Sequence, residues 1–438
     1  MDRASRPSLA LLATVSAALL GAGCTGVLDS AEPERSSSVP PVPGEDAGSS
    51  GTDAGPGGAD AARPGDTGSK GADAAPGADT RVAVDGAPGA DSAPLGSDAG
   101  PAPDATPPPP PPTGGYLVAY YANWTTGTMP VKTIPWSKMT HVAHAFVLPS
   151  ATGGLRDVSS YVDATLITEA HAHGVKVVAS VGGAGANFDA NVDPAVRALT
   201  VSALASLCKT NGYDGIDLDW EFPDATTGPA WSALIAELRV ALDAIDPALT
   251  ISAAVASGAW NGQHLPSDGL SKLSWVGVMT YDYAGAWSAT SGHDSPLFPS
   301  KGGDGGSVSE SVDYYLGKRG LPADRVLLGL PFYGAQFGSN AIASTPVAPS
   351  ASPDYRDVVA SIAGAEGWTK GWDDGAKVPF LTRAASPGFL SYDDEKSIGA
   401  KCAYGKSKAL RGAIVWHLAG DRLPDGTNPL LDAAQPCR

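Results

Sequence analysis

From residue 116 onward, eight apolar runs with the character of β-strands alternate with segments of helical character. The eight runs are 117–122, 141–147, 175–181, 215–222, 249–255, 275–283, 325–333 and 412–418. Their interiors are continuously apolar rather than alternating, which is typical of parallel strands covered on both faces. The pattern predicts an α/β fold, a (β/α)8 TIM barrel. A doubly wound open sheet is the alternative, although no GxGxxG motif follows the first run.

Two further segments of this region have a predictable structure. Between the third and fourth runs, Asp193 stands at the N-cap of a helix, Pro194 at its first position and Gly212 just past its end, as helices prefer. The longest interval, at about 336–390, follows the seventh run. Because a structureless loop of that length is unusual in a compact domain, we predict a small α+β insertion there.

Residues 1–24 have the pattern of a signal peptide. Arg3 and Arg6 precede an apolar run that ends at Cys24 and is short for a membrane-spanning helix. The small residues directly before Cys24 resemble a bacterial lipoprotein cleavage box, except that Gly21 stands where Leu is usual. We therefore expect a protein of the bacterial envelope that is anchored to the membrane by a lipid on Cys24. Secretion without an anchor is the alternative.

Residues 25–113 differ in composition from the rest of the chain. They contain 14 acidic and 4 basic residues, many Gly and Pro, and almost no aromatic or large aliphatic side chain. Such a segment cannot bury enough apolar surface to offset the entropy of ordering. We predict a disordered, self-repelling linker that precedes a folded barrel at 114–438. The regular spacing of its aspartates would suit calcium, but no strand-forming residue alternates with them, so we favour a low-complexity tract kept soluble by its charge.

The fourth run contains an unusual number of acids, in the stretch DGIDLDWE at 214–221. Since side chains alternate across a strand, Asp217, Asp219 and Glu221 are expected on one face. Neighbouring members of this row are then only about 6.5–7 Å apart at Cα. Burying three like charges is costly unless they are protonated, hydrogen-bonded or countered by a ligand. We expect a coupled set with at least one raised pKa.

Several chemically useful side chains fall near the ends of other predicted strands. In barrels of this type, the reacting groups lie at the carboxyl ends of the strands. Tyr281, Asp282, Tyr333 and Trp416 occupy such positions. We therefore predict that they lie at the same end of the barrel as the acids. Asp214, on the opposite face of its strand, is expected to have a structural role.

Short motifs in register with the predicted strands resemble those of glycoside hydrolase family 18, to which many chitinases belong. The stretch DGIDLDWE is similar to the DxxDxDxE signature of that family. The further motifs are SVGG at 180–183, MTYD at 279–282, YANW at 121–124, HAF at 144–146, GLPFYG at 329–334, SYDDEKS at 391–397 and IVWHLAGD at 414–421. The resemblance extends over 114–421 and implies a catalytic barrel.

The resemblance implies hydrolysis of β-1,4-linked N-acetylglucosamine with retention, by a substrate-assisted mechanism that most glycosidases do not use. Glu221 would be the general acid. The carbonyl oxygen of the sugar's own 2-acetamido group would attack the anomeric carbon. Asp219 would orient the acetamido N–H and share a proton with Asp217, and Tyr281 would hydrogen-bond the acetamido oxygen.

The resemblance also implies the substrate-binding residues. Trp416 would form the apolar floor beneath the distorted sugar, and Trp124 and Trp287 would extend sugar stacking along a groove. The full set implied is Tyr120, Phe146, Trp124, Asp282, Trp287, Tyr333 and Trp416. Ala184 and Ala335 depart from the family pattern, which frequently has Trp and Arg there. Their small side chains would weaken the grip on the non-reducing side of the substrate and reduce processivity.

Other interpretations of these residues are open. The acids could form a structural cluster or bind Mg²⁺, since carboxylates suit hard cations. A related enzyme could cut N-acetylglucosamine linkages in N-glycans or peptidoglycan, and a lectin could bind chitin without cutting it. Tyr120 and Phe146 could serve only in core packing. We expect His141 and His144 to be packing residues.

The expected ligands are chitin or N-acetylglucosamine oligosaccharides, with no cofactor and no metal. The net charge is −17 and no basic stripe is present, which argues against nucleic acid as a partner. We expect a monomer. Cys402 and Cys437 could pair in an oxidising compartment, whereas Cys208, inside a predicted helix, is expected to be a buried free thiol.

Overall fold

The computed structural model describes residues 114–303, 305–346, 350–384 and 388–438. The predicted signal peptide with Cys24 and the predicted linker lie outside the described residues. Within the described part, no helix is long and apolar enough to cross a membrane.

The described residues form thirteen strands and ten α-helices. The strands are β1 (Tyr116–Ala122), β2 (His141–Pro149), β3 (Leu155–Arg156), β4 (Lys176–Gly182), β5 (Gly215–Asp219), β6 (Thr250–Ala256), β7 (Trp275–Met279), β8 (Val326–Pro331), β9 (Gly334–Phe337), β10 (Trp368–Asp373), β11 (Val378–Arg383), β12 (Gly388–Tyr392) and β13 (Gly412–Trp416). The helices are α1 (Val158–Tyr161), α2 (Ala164–Ala172), α3 (Pro194–Asn211), α4 (Gly228–Asp243), α5 (Ala259–Gly262), α6 (Ser267–Ser271), α7 (Val308–Asp313), α8 (Tyr355–Asp357), α9 (Glu395–Ser407) and α10 (Pro429–Ala433).

Eight of the strands close into a parallel barrel. Their order is β1, β2, β4, β5, β6, β7, β8 and β13, and β1 pairs in parallel with both β2 and β13. Because the ring has no free edge, the predicted (β/α)8 barrel is confirmed and the open sheet is excluded. All eight predicted strands are present.

Four predicted runs extend too far at their carboxyl ends. The runs predicted to end at 222, 283, 333 and 418 end as strands at Asp219, Met279, Pro331 and Trp416. The backbone leaves the hydrogen-bonded ladder there: the pairing of β4 with β5 stops at Gly182 and Asp219. The expectation that Glu221 shares a strand face with the other two acids is therefore wrong. It lies in the loop, two residues past the strand.

The helix boundaries read from the sequence are observed in α3. The Asp193 side chain accepts a hydrogen bond from the backbone N–H of Ala195, Pro194 opens the helix and Gly212 ends it with φ +78°. Buried faces of α3 and α4, including Leu204 and Leu234, pack against the outside of the barrel. These contacts hold the strands from outside and leave the interior of the barrel to a second set of side chains.

The region after β8 holds a second sheet at the position predicted for the insertion. Strands β9 to β12 form an antiparallel sheet in the order β10, β11, β12, β9. Phe337, Phe380 and Phe389 from this sheet pack on Ala284, in the loop that follows β7. The insertion therefore forms a wall beside the carboxyl ends of the strands.

The C-terminal segment is fastened to the barrel. Cys402 in α9 and Cys437 form a disulfide, which settles the pairing that the sequence left open. Cys208 is a buried free thiol, as predicted. The last residue, Arg438, lies beside Gly115, where a Cβ atom would come within 2.5 Å of its backbone. The start of β1 and the last residue therefore meet at the same end of the barrel.

Candidate active site

Strand β5 directs two acids into the barrel. Asp217 and Asp219 are 2% and 3% exposed, while Ile216 and Leu218, which alternate with them, pack outward into the apolar layer shared with the helices. This is the alternation that the sequence predicts for a strand. The acids are thus at successive depths, with Asp219 closer to the mouth.

Asp217 accepts three hydroxyl hydrogen bonds from three different strands. Its Oδ2 accepts from Tyr120 and from Ser180, each at 2.8 Å, and its Oδ1 accepts from Ser252 at 2.6 Å. Burial raises the pKa of Asp217, while these three bonds oppose the rise. The protein itself therefore supplies hydroxyl donors to both oxygens of Asp217. These bonds link strands β1, β4 and β6 to β5.

Asp219 has a different environment. Among the described residues, none donates a hydrogen bond to its buried Oδ1 atom. Burial, then the charges of Glu221 and Asp217, raise the pKa of Asp219 well above its ordinary range. The effect of Glu221 shows that this half-buried side chain lies close to Asp219 even though it is in the loop. Asp219 is therefore a buried carboxyl with an oxygen open to a ligand, between two further acids.

Two glycines of the SVGG motif allow the chain to pass close to this site. Gly182 has φ +121°, and a Cβ atom there would lie 2.1 Å from the backbone oxygen of Asp219. Gly183 has φ +87°, and a Cβ atom would lie 2.5 Å from the ring of Phe146. Since no other residue fits such contacts, the motif is explained by the close approach of β4 to the acid-bearing strand.

Aromatic rings surround the mouth on the side of β1, β2 and β13. Trp416 stacks on Phe146 with ring centroids 5.5 Å apart, and contacts Tyr120 edge-on at 5.6 Å. Trp124 lies 6.1 Å from Phe146 and 6.4 Å from Trp416, and it is 58% exposed. Four of the predicted substrate-binding residues are thus brought together. Phe146 and Tyr120 contribute to the packing and also border the acids.

The end of β7 provides the opposite side of the mouth. Tyr281 is buried and contacts Tyr333 edge-on at 6.0 Å. The Tyr333 hydroxyl donates to Asp282 Oδ1 at 2.8 Å. Tyr281 and Tyr333 belong to the same buried cluster as Tyr120, whose hydroxyl donates to Asp217. Tyr281, Asp282 and Tyr333 therefore border the same pocket as the acids.

Three aromatic residues at the rim differ from the sequence analysis in detail. Trp287 is partly exposed and its ring covers Gly285. Among the described residues, no ring contact joins Trp287 to the other predicted aromatic residues. Trp260 is 59% exposed and contacts Phe222, the residue after Glu221, at 5.1 Å. Sequence reasoning missed Trp260 and Phe222. The available signal was their position just past the ends of β6 and β5.

Residues predicted to be structural lie outside this pocket. Asp214 precedes β5 at the other end of the strand. His144 is buried, with its ring stacked on Tyr161, and burial lowers the pKa of His144 to about 4. His141 packs against Tyr116 and Trp275. Within the described ranges, no group of three His, Cys, Asp or Glu side chains is arranged to hold a metal ion.

A closed β/α barrel with buried acids and a ring of aromatic side chains at its mouth is the arrangement of a glycoside hydrolase. Residues 116–421 match the protein family described as glycosyl hydrolases family 18. The chain belongs to this family.

Individual relatives agree with this assignment. The chain is 31% identical over 316 residues to chitinase A1 of Niallia circulans, a match that covers 60% of this chain and 44% of that protein. It is 31% identical over 252 residues to a probable endochitinase of Caenorhabditis elegans, covering 52% of this chain and 40% of that protein. The matches thus span less than half the length of these curated relatives. The crystal structure of the Group IV chitinase of Ostrinia furnacalis superposes with a TM-score of 0.67 at 26% identity, covering 73% of this chain and 98% of that one.

Proposed function

We propose that this protein is a chitinase that hydrolyses β-1,4 linkages between N-acetylglucosamine units with retention of configuration. The observation that carries the proposal is the placement of Asp219. Its Oδ1 lacks a donor among the described residues and lies in a pocket bordered by Asp217, Glu221 and Tyr281. A buried acceptor without a donor is costly. The N–H of a 2-acetamido group would satisfy it.

Glu221 acts as the general acid. It lies at the end of the acid row nearest the mouth, half-buried, where a glycosidic oxygen can reach it from the groove. The acid donates its proton to the leaving oxygen as the bond to the anomeric carbon breaks. Close carboxyls cannot all be ionised, so the charges on Asp219 and Glu221 influence one another and favour a state that retains a proton.

The attacking group belongs to the substrate. As the leaving oxygen departs, the acetamido carbonyl oxygen bonds to the anomeric carbon and forms an oxazolinium ion, which water then opens with retention. Asp219 accepts the acetamido N–H and offsets its developing positive charge, and the Tyr281 hydroxyl donates to the acetamido oxygen. Asp217, held by its three hydroxyl donors, lies beneath Asp219 and shares a proton with it.

The aromatic residues bind the chain of sugars. Trp416 presents a partly exposed ring stacked on Phe146, which suits the apolar face of a distorted pyranose. Trp124 on one side and Trp287 on the other offer exposed rings along the groove, and Trp260 extends the row beyond Glu221. Aromatic rings bind neutral sugars without electrostatic attraction, so the acidic charge of the protein does not oppose binding.

The test is to incubate the full chain with chitin oligosaccharides and follow the anomer formed by proton NMR. We expect the β-anomer to appear first. An inverted product, or no product from a folded protein, would contradict the proposal. Binding without any cleavage would identify a lectin. Cleavage of N-glycan or peptidoglycan fragments in preference to chitin would identify the related enzyme.

We also propose that the enzyme is held at the cell surface by a lipid on Cys24. The support is the sequence alone: an apolar run, small residues and a cysteine at its end. A Cys24→Ala variant should move from the membrane fraction to the soluble fraction of the same cells. Unchanged partitioning of this variant would contradict the anchor.

A further inference from the structure

A second group of buried charges lies behind the site, where α9, the insertion and the loop after β7 meet. Lys401 in α9 is fully buried, and its Nζ atom donates to Asp393 Oδ2 and to Ser295 Oγ, both at 2.6 Å. Asp393 also accepts from Ser397 at 2.6 Å. A buried lysine is expensive and requires compensating partners. Lys401 takes no direct part in the proposed chemistry.

One connection runs from Lys401 to the residue before Tyr281. The Ser295 hydroxyl accepts from Lys401 and donates to the backbone oxygen of Thr280 at 2.6 Å. The Thr280 hydroxyl in turn donates to the backbone oxygen of Gly329 on β8 and accepts from its N–H. The residue that follows β7 and the middle of β8 are therefore fixed to each other and, through Ser295, to α9.

A second connection holds the residue after Tyr281. The neighbouring Asp294, 1% exposed, accepts from the backbone N–H of Asp282 at 3.2 Å, and its backbone oxygen accepts from the N–H of Tyr283 at 3.0 Å. Its own N–H donates to Ser391 Oγ in the insertion. Asp294 directly precedes Ser295 in the chain, so the hydrogen bond from Lys401 to Ser295 anchors the same short loop that holds Asp282 and Tyr283.

The held segment has an unfavourable backbone conformation. Asp282 has φ +59°, a left-handed conformation that non-glycine residues adopt only at a cost. Such conformations persist when the surrounding structure fixes them. Residues 294–295 contact the backbone of Thr280, Asp282 and Tyr283, so that loop helps to fix the turn that presents the side chains of Tyr281 and Asp282 to the pocket.

We propose that Lys401 is a positioning residue: through Ser295 and Asp294 it holds the Thr280–Tyr283 turn so that Tyr281 and Asp282 face the substrate. The inference rests on the proposed function, in which Tyr281 and Asp282 contact the sugar. This role accounts for a buried lysine at a position of α9 where a packed apolar side chain could otherwise serve.

The test uses a variant that removes the charge pair without leaving a lone charge. Lys401→Met together with Asp393→Asn should retain a Tm within about 4 °C of the wild type. The kcat on chitin oligosaccharides should fall about 10- to 100-fold, while KM stays within about threefold. A hydrogen-exchange measurement should show faster exchange in peptides that cover 280–283, with protection elsewhere in the barrel unchanged.

A matched control removes an accessible ion pair at the end of the same helix. Lys408, the residue directly after α9, pairs with Asp313 in α7 at 2.7 Å; Lys408 is partly exposed and Asp313 is exposed. Lys408→Met with Asp313→Asn should alter neither kcat nor the exchange of 280–283. If the buried pair behaves like this control, with normal kcat and normal exchange, Lys401 is only structural and the inference is wrong.

Two further outcomes are decisive. If the buried double variant does not fold, Ser295→Ala removes the hydroxyl that joins Lys401 to Thr280 and keeps both charges. It should give the same faster exchange and lower kcat; unchanged values would overturn the inference. If the wild type proves inactive on these oligosaccharides, the proposed function fails. The exchange of 280–283 then still shows whether Lys401 holds the turn.

Discussion

The two ends of strand β5 carry aspartates in opposite environments. At the base, Asp214 is partly exposed and accepts from the backbone N–H of Val177 at 2.8 Å, from Lys176 at 2.7 Å and from His171 at 2.7 Å. Burial works against its ionisation, but these donors outweigh burial and lower the pKa of Asp214. At the mouth, Asp219 is buried beside two acids and its pKa is raised.

The difference separates stability from function along a single strand. The charge of Asp214 is satisfied by the protein, so it favours the folded state. The charge of Asp219 is opposed by the protein, so it disfavours the folded state and is available to a ligand. A chain selected only for stability would not keep the second arrangement, and proteins commonly give up stability at their active sites.

The largest effect is expected at the mouth. Glu221→Gln removes the proposed proton donor and keeps the shape of the side chain, so kcat should fall by roughly 10³- to 10⁴-fold. Binding of chitin oligosaccharides, measured by calorimetry, should persist because the aromatic rings are unchanged. Near-full activity in this variant would mean that the general acid is another residue.

Asp219→Asn should separate activity from stability. We expect kcat to fall by about 10²-fold, since a group that supports developing charge is lost. The Tm should stay equal or rise, because the substitution removes a buried charge from between Asp217 and Glu221. A large fall in Tm would show that Asp219 stabilises the fold and would remove the contrast with Asp214.

At the base, Asp214→Asn should have the reverse pattern. Charge-assisted hydrogen bonds from three donors are lost, and because Lys176 and His171 are partly exposed, we expect a loss of only about 1–2 kcal/mol in the free energy of unfolding. Urea denaturation measures it. Activity per folded molecule should be normal; a lower kcat would show that the base and the mouth are coupled.

The smallest effect is in the pH dependence of these stability differences. Because the pKa of Asp214 is lowered, its ionised carboxylate stabilises the folded protein fully above about pH 4. This contribution is lost as pH falls through the pKa of Asp214 in the folded state. Asp214→Asn should therefore differ least from the wild type in acid. Because the pKa of Asp219 is raised, its ionisation destabilises the folded protein increasingly as pH rises above about 4. The stability gained by Asp219→Asn should therefore grow toward neutral pH. Parallel pH profiles for the two variants would contradict the opposite shifts.

Much of the fold could be predicted because it depends on local patterns. Continuous apolar runs identify strands buried on both faces, and the N-cap Asp193 and terminal Gly212 fix a helix. The ends of the strands were less predictable. Apolar and aromatic residues continue past Asp219, although the backbone there has already left the sheet, and composition does not show that point.

The acids of the site could be predicted from the sequence, but the residues that surround them could not. Asp217 and Asp219 follow from period-two alternation, but the three hydroxyls that bind Asp217 come from strands far apart in sequence. Ser180 and Ser252 are small residues with no individual signal. The contacts of Lys401 were hidden for the same reason, because three separate segments meet only after the chain has folded.

The meeting of Gly115 with Arg438 has a consequence for how the barrel can be attached. All eight barrel strands run in one direction, so the start of β1 lies on the face opposite the acids. Any segment that joins the barrel at residue 114 therefore attaches at its back. If that segment is the flexible linker that the sequence predicts, it leaves the groove clear, and a long polymer can enter without passing the point of attachment.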